Sequence, residues 1–143
     1  MDISLTKQQY KMYQMRDKRV TYPLFLAGFG AGKSHVLILN ALRDLFAFEG
    51  CKVAIYSPTM DLQRLNLIPR FEEMLLEMGL VFKTNKTQHT ISIGNNQLIF
   101  RSMSKPERIV AYEVYTSHID EADLLESMNK SEVAWTKILS RTR

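Results

Sequence analysis

The chain has 143 residues, of which 45% are hydrophobic and 10% aromatic. These values support one compact domain with a buried core and exclude a disordered chain. The longest apolar runs are far shorter than the ~20 residues that span a membrane, and the N-terminus lacks the apolar core of a secretory signal, so we expect an intracellular protein. A net charge of +4 favours a polyanionic partner without specifying one.

Residues 5–16 carry five apolar side chains among polar ones and are predicted to form a short helix, with Thr6 or Ser4 as its N-cap. One glutamine amide can both donate to and accept from the N6/N7 edge of adenine. In several ATPases a glutamine that precedes a glycine-rich, phosphate-binding loop makes this contact. Gln9 and Gln8 are the candidates for this contact. The alternative is a glutamine on the helix surface.

The central motif follows at residues 24–34, where a short apolar run enters the segment Ala27-Gly28-Phe29-Gly30-Ala31-Gly32-Lys33-Ser34. Apolar residues then recur at helical spacing, so the pattern predicts a strand, a phosphate-binding loop and a helix. Glycines let successive backbone N–H groups turn towards an anion, and the helix N-terminus adds about half a positive charge. A glycine turn with an incidental Gly-Lys-Ser is the alternative.

The loop motif predicts a role for each of its residues. Lys33 is expected to contact the β- and γ-phosphates and the Ser34 hydroxyl to hold Mg²⁺. The backbone around the phosphates is expected to come from Gly28, Gly30, Ala31 and Gly32. The pattern G-x-x-x-x-G-K-[ST] has Ala27 in place of its first glycine, which the loop can accommodate if that residue keeps a negative φ.

The middle of the chain predicts α and β elements in turn. Residues 34–48 form a helix ended by Gly50, residues 52–56 a buried parallel strand, and residues 60–79 a helix interrupted near Pro69. Two β-type runs, 90–93 and 97–101, flank Gly94-Asn95-Asn96 and predict a hairpin at a sheet edge.

A β-rich run over residues 114–121 ends in the adjacent carboxylates Asp120 and Glu121. At the end of a strand beside the loop, Asp120 could orient Mg²⁺ and Glu121 could polarise a water molecule that attacks the γ-phosphate. On its own, an Asp-Glu pair is more often the acidic start of a helix. Together with the loop it predicts a three-layer α/β P-loop NTPase fold, with a mostly parallel central sheet, the loop strand adjacent to the Asp-Glu strand, and an edge β-hairpin.

Four segments together resemble the ATPase region of the large terminase subunit, the DNA-packaging motor of tailed double-stranded DNA phages. They are Leu5-Thr6-Lys7-Gln8-Gln9, the loop Ala27–Ser34, Arg108-Ile109-Val110-Ala111-Tyr112-Glu113-Val114 ahead of Ile119-Asp120-Glu121-Ala122-Asp123, and Trp135-Thr136-Lys137-Ile138-Leu139-Ser140-Arg141. The resemblance spans nearly the whole chain. Family loops often carry glycine at the place of Ala27 and a basic residue at that of Phe29, so nucleotide sensing from within the loop is not implied.

The resemblance implies an ATPase domain over residues 1–143 that binds ATP and Mg²⁺ and hydrolyses a phosphoanhydride bond. Carried over, Gln9 is the adenine-contacting residue, Lys33 the phosphate ligand, Ser34 and Asp120 the magnesium ligands, and Glu121 the catalytic base. The implied partners are double-stranded DNA, the portal protein, the small terminase subunit and further copies in a homo-oligomeric ring, with no membrane. The implied location is the host cytoplasm, transiently at the procapsid portal.

In that family the ATPase region continues into a coupling motif and a nuclease domain, whereas this chain stops at Arg143. We therefore expect a fragment, a split gene product or a truncated one, which retains ATP binding and lacks DNA cleavage. Arg141 and Arg143 are candidates for an arginine finger supplied in trans.

Two other functions are considered. Asp120-Glu121-Ala122-Asp123 spells the DEAD signature and Ser57-Pro58-Thr59 resembles a helicase motif, so a superfamily 2 nucleic-acid helicase core is the first; no Ser-Ala-Thr coupling motif follows. The second is a nucleotide-binding or assembly module without turnover.

Overall fold

A computed structural model describes residues 4–18, 20–28, 30–106, 109, 113–121 and 128–142. They form a mixed α/β fold around a five-stranded sheet of order β2-β3-β4-β1-β5. The strands are β1 (Lys52–Ser57), β2 (Lys83–Asn85), β3 (Thr90–Ile93), β4 (Asn96–Ser102) and β5 (Thr116–Ile119). β1 is parallel to both β4 and β5, whereas β3 is antiparallel to β4 and to β2. All strands except β3 therefore run in one direction, which confirms the predicted mostly parallel sheet.

Helices cover both faces of this sheet. They are α1 (Lys7–Gln14), α2 (Lys33–Leu45), α3 (Met60–Leu62), α4 (Ile68–Glu77) and α5 (Met128–Leu139), with a π-helical segment, Gln63–Leu67, between α3 and α4. Among the described residues, none of the helices combines the length and the apolar character that crossing a membrane requires.

β1 is buried on both faces because helices pack on each side of it. Val53 and Ile55 point into one core with side chains of α2 and α4, and Ala54 and Tyr56 point into a second core with Ala134 and Ile138 of α5. Successive residues of a strand face opposite sides, so an unbroken apolar run needs cover on both. The result is the predicted three-layer arrangement.

The predicted hairpin is formed by β3 and β4, joined through Gly94, whose φ of +56° favours glycine. It lies on the side of the sheet away from β5. β2 adds one further strand outside it, which the sequence did not predict, because its three residues show no alternating apolar pattern and are at most half-buried.

The predicted interruption near Pro69 is a change of helix type. Proline removes a backbone donor and crowds the preceding turn, and the wider π-helical turn over Gln63–Leu67 accommodates both effects. Gln63 is buried there, and its Nε2 donates to the carbonyl oxygens of Ile55 at 3.0 Å and Arg101 at 2.7 Å. The segment is thereby tied to β1 and β4.

The strand predicted for residues 24–27 is wrong. Residues 23–28 have no regular structure, and Leu24 and Leu26 are 72% and 81% exposed. The loop segment is therefore not adjacent to β5 in the sheet. An extended segment becomes a strand only where a neighbouring strand takes up its N–H and C=O groups, and an apolar run does not specify that neighbour.

A buried carboxylate joins α2 to β5 and to the segment after α1. The Asp44 side chain is 5% exposed, with Oδ1 2.9 Å from Nε of Arg16 and Oδ2 3.1 Å from Nε2 of His118. Burial alone would raise the pKa of Asp44, but hydrogen bonding to His118 and Thr116 and the charges of His118 and Arg16 outweigh it and hold the pKa below its ordinary value. The ionised carboxylate thus helps to fix the helix that begins at the loop against the strand that leads to Asp120.

We expect Asp44→Asn to lower the free energy of unfolding by about 2 to 3 kcal/mol, because Arg16 and His118 lose a buried charged acceptor. Denaturant unfolding at pH 7 measures this loss. The pKa of Asp44 is lowered in the folded state, so its stabilisation is present above the unfolded-state pKa of about 4 and is lost as the pH falls through the folded value. The difference between the two proteins should therefore shrink in acid, below about pH 4.

The control is Asp17→Asn, which removes the carboxylate of an ion pair with Arg43. Asp17 is 59% exposed, so solvent screens that pair and its loss should change the free energy of unfolding by less than about 1 kcal/mol. Similar losses of unfolding free energy in Asp44→Asn and Asp17→Asn would show that burial does not make the interactions of Asp44 more stabilising than those of an exposed carboxylate.

Candidate nucleotide-binding site

The candidate site lies where α2 begins, beside the end of β5. Gly30 and Gly32 have φ of +74° and +73°, the left-handed conformation that glycine adopts at little cost. Gly32 is the N-cap of α2, and no side chain caps this end or places an acid in the first turn. The N-terminus of α2 and its partial positive charge therefore face the loop, an arrangement that favours an anion there.

Ala27 keeps the negative φ that allows alanine to replace the first glycine of the loop motif. The described non-glycine residues with positive φ are His89 and Glu121, so Ala27 keeps an ordinary backbone conformation. Gly28 has no positive φ either, and a Cβ built on it would meet no atom within 4 Å. Glycine is thus required by conformation at positions 30 and 32 and not at 28.

The Lys33 ammonium lies across the loop from the start of α2. Its Nζ donates to the carbonyl oxygens of Ala27 at 2.8 Å and Gly28 at 3.2 Å. An ammonium binds phosphate oxygens more strongly than neutral carbonyls, because those hydrogen bonds are between charged groups. Lys33 is therefore placed to exchange loop carbonyls for an anion that enters the loop.

Ser34 and Asp120 meet although they are 86 positions apart in the sequence. Ser34 Oγ donates to Asp120 Oδ2 at 3.1 Å, and Asp120 is only 7% exposed. Its backbone N–H donates to the carbonyl oxygen of Tyr56 at 2.9 Å, which fixes the residue at the end of β5.

The two oxygens fit a magnesium ion. Two neighbouring ligands of an octahedral Mg²⁺, each at about 2.1 Å, lie about 3 Å apart, close to the spacing of Ser34 Oγ and Asp120 Oδ2. In the described part of the chain no three His, Cys, Asp or Glu side chains cluster as a metal site. In nucleotide sites Mg²⁺ takes one or two protein oxygens and completes its shell with water and phosphate, so Ser34 and Asp120 could hold it without a third side chain.

Glu121 follows Asp120 in an unusual backbone conformation. Its φ is +51°, which costs a residue with a side chain about 1 kcal/mol. Glu121 directly follows Asp120 in the sequence, and its side chain is half-buried. Strain of this kind is often found at functional positions.

No protein-family model matches the sequence, and a search of curated proteins finds no significant match. Solved structures do match. The large terminase of a thermophilic bacteriophage, solved in complex with ADP, has a TM-score of 0.72 and 18% identity over 94% of this chain, and the complex of the same terminase with ATP-γ-S has 0.70 and 18% over 94%. The large terminase ATPase domain of Thermus phage P74-26 has a TM-score of 0.66 and 16% identity over 96% of this chain.

The chain has the fold of the large terminase ATPase domains. It spans 36% of the terminase chain solved with ADP, 35% of the one solved with ATP-γ-S, and 61% of the P74-26 ATPase domain. The resemblance noted in the sequence is thereby confirmed at the level of the fold.

Within this terminase fold, Gln9 lies directly against the loop. It is 8% exposed, and its amide is hydrogen-bonded within the protein to Thr6, Ala31 and Gly32. The adenine contact stays a prediction. Gln8 is exposed on α1.

Arg141 does not lie near the site of its own chain. Its carbonyl oxygen accepts from the N–H of Val114 at 3.0 Å, ahead of β5, and six residues of extended chain separate Val114 from Asp120, about 20 Å. A role in trans stays a prediction. Other predicted positions lie outside the described residues, namely Phe29, Arg108, Val110, Ala111, Tyr112, Ala122, Asp123 and Arg143.

Proposed function

We propose that this chain is the ATP-binding and ATP-hydrolysing motor domain of a viral DNA-packaging terminase, which drives double-stranded DNA into a procapsid. The observation that carries the proposal is the 3.1 Å hydrogen bond between Ser34 and Asp120, which joins the phosphate loop to the end of β5. The fold of large terminase ATPase domains supports it, as do the ADP and ATP-γ-S in two of the similar solved structures.

On this proposal the triphosphate lies in the loop. The backbone from Gly28 to Gly32 and the first turn of α2 surround the phosphates, and Lys33 moves from the loop carbonyls to the β- and γ-phosphate oxygens. Ser34 and Asp120 hold Mg²⁺, which neutralises charge on the phosphates when it is bound. Gln9 is part of the same nucleotide site, because its amide is hydrogen-bonded to the loop residues Ala31 and Gly32.

Glu121 is the proposed base. It accepts a proton from the water molecule whose oxygen attacks the γ-phosphorus, while the bond to the β–γ bridging oxygen breaks and ADP leaves with that electron pair. Glu121 directly follows Asp120 and has a positive φ, so its backbone conformation differs from that of the metal ligand before it.

The remaining parts of the proposal follow from the packaging function. Double-stranded DNA is bound through its phosphate backbone more than through its bases, in keeping with the net charge of +4. The portal protein, the small terminase subunit and other copies in a ring are the proposed protein partners, and the host cytoplasm is the proposed location. Residues 1–143 constitute the ATPase domain, to which no nuclease activity is assigned.

The test is to measure ATP binding by calorimetry and phosphate release with and without double-stranded DNA. We expect Mg²⁺-dependent ATP binding and phosphate release that DNA accelerates. Binding without any release would favour a nucleotide-binding module without turnover. Failure to bind ATP would overturn the proposal.

A further inference from the structure

Gln9 is buried against the phosphate loop by contacts that span the loop's C-terminal half. Its Nε2 donates to the carbonyl oxygens of Ala31 at 3.4 Å and Gly32 at 3.3 Å. Its Oε1 accepts from the backbone N–H of Thr6 at 2.8 Å, and the Thr6 hydroxyl accepts from the N–H of Gln9 at 3.3 Å, which completes a capping box at the start of α1. The side chain is thus held at both ends of its amide.

Gln9 and Gly32 also fit one another sterically. A Cβ placed on residue 32 would overlap the Gln9 Nε2 atom, and Gly32 has a φ of +73°. The glutamine amide therefore occupies the space that any other residue at position 32 would need. Gly32 is the N-cap of α2, so a contact with its carbonyl acts on the residue from which the anion-binding helix N-terminus starts.

The amide has few hydrogen bonds left for a base. A glutamine has two N–H donors, and adenine recognition needs one of them together with the carbonyl oxygen. In Gln9 the Nε2 atom is directed at the two loop carbonyls, and the residue is 8% exposed. Contact with adenine would therefore compete with the contacts that the Gln9 amide makes with the loop.

We propose that Gln9 is a positioning residue that fixes the phosphate loop, and that it supports nucleotide binding through the phosphates and independently of the base. This role rests on the proposed function, since it requires that the loop binds phosphate. It predicts that nucleotide affinity depends on Gln9 even when the ligand has no base.

The experiment compares wild-type protein with Gln9→Ala and measures the affinity for ATP, GTP and inorganic tripolyphosphate, each with Mg²⁺, by calorimetry. We expect the variant to bind all three about tenfold more weakly, because two loop contacts are lost, with the ATP-to-GTP affinity ratio unchanged. A loss confined to ATP would overturn the inference and identify Gln9 as the adenine-contacting residue. Unchanged affinity for all three would also overturn it.

Gln9→Met serves as the second variant and Gln8→Ala as the control. Methionine keeps nearly the length of the side chain and its neutral charge but cannot donate to the carbonyls, so it should weaken all three ligands in the same way even if Gln9→Ala proves unstable in thermal melts. Gln8 is exposed on the same helix, and its replacement should change none of the affinities. If wild-type protein binds none of the three ligands, the proposed function itself fails, a result distinct from a base-dependent effect of Gln9.

Discussion

Lys33→Ala is expected to weaken ATP–Mg²⁺ binding by about 100-fold or more. The change removes the ammonium that lies across the loop from the start of α2, and with it the charged hydrogen bonds to the phosphates, each of which contributes about 1.5 to 3 kcal/mol. The carbonyl oxygens of Ala27 and Gly28 accept hydrogen bonds from Lys33. Without the ammonium, their partial negative charges would also repel the phosphates.

Calorimetry with ATP and excess Mg²⁺ measures this effect. The matched control is Lys86→Ala, which removes an equal charge from an exposed turn between β2 and β3 and should leave the affinity within about twofold of wild type. Full affinity in Lys33→Ala would show that the loop is not the phosphate site. Equal losses in the two variants would show that the effect is one of net charge.

Glu121→Gln is expected to reduce phosphate release by about 10³-fold and to leave ATP affinity within about twofold. The amide cannot accept a proton from the attacking water, and general-base catalysis typically contributes about 10² to 10⁴ in rate. Lys33, Ser34 and Asp120 are untouched by the change, so the triphosphate and Mg²⁺ should bind as before.

A single-turnover measurement with radiolabelled ATP separates the chemical step from binding. Glu77→Gln removes a carboxylate from the exposed face of α4 and should behave as wild type. Normal phosphate release by Glu121→Gln would place the base elsewhere in the protein. Loss of ATP affinity together with rate would mean that Glu121 supports the site structurally, as its strained backbone would allow.

The predictions that the structure confirms are those that depend on local sequence. The hairpin is indicated by Gly94 between two β-type runs, and α2 by its apolar spacing after Lys33. The contact between Ser34 and Asp120 is the exception, because it joins distant residues; the prediction that Asp120 lies beside the loop rests on the complementary roles of the two motifs, and the two side chains are hydrogen-bonded.

The predictions that fail depend on distant partners. Residues 24–27 are as apolar as a strand, but no strand pairs with them in the described part of the chain. β2 forms because β3 lies beside it, a contact that its own polar sequence does not specify. The link from Asp44 to Arg16 and His118 is missed for the same reason, although an acid near the buried Ala41 and Leu45 is a usable signal.

The sequence predicts only part of the role inferred for Gln9. Thr6-Lys7-Gln8-Gln9 matches the S/T-x-x-E/Q capping box, and that pattern by itself assigns the Gln9 carbonyl oxygen to the start of α1. The contact of its Nε2 with Ala31 and Gly32 joins residues more than 20 positions apart, so it depends on the fold.

The proposed nucleotide site depends most on one magnesium ion being shared by Ser34 and Asp120. The most direct measurement is ATP affinity with and without Mg²⁺ in wild-type protein, Ser34→Ala, Asp120→Asn and the double variant. We expect Mg²⁺ to strengthen ATP binding by at least about tenfold in wild type and each single variant to lose most of that gain, with the double variant losing little more, because both changes disrupt one site. Full magnesium dependence in either single variant, or losses that add in the double variant, would contradict the shared ion.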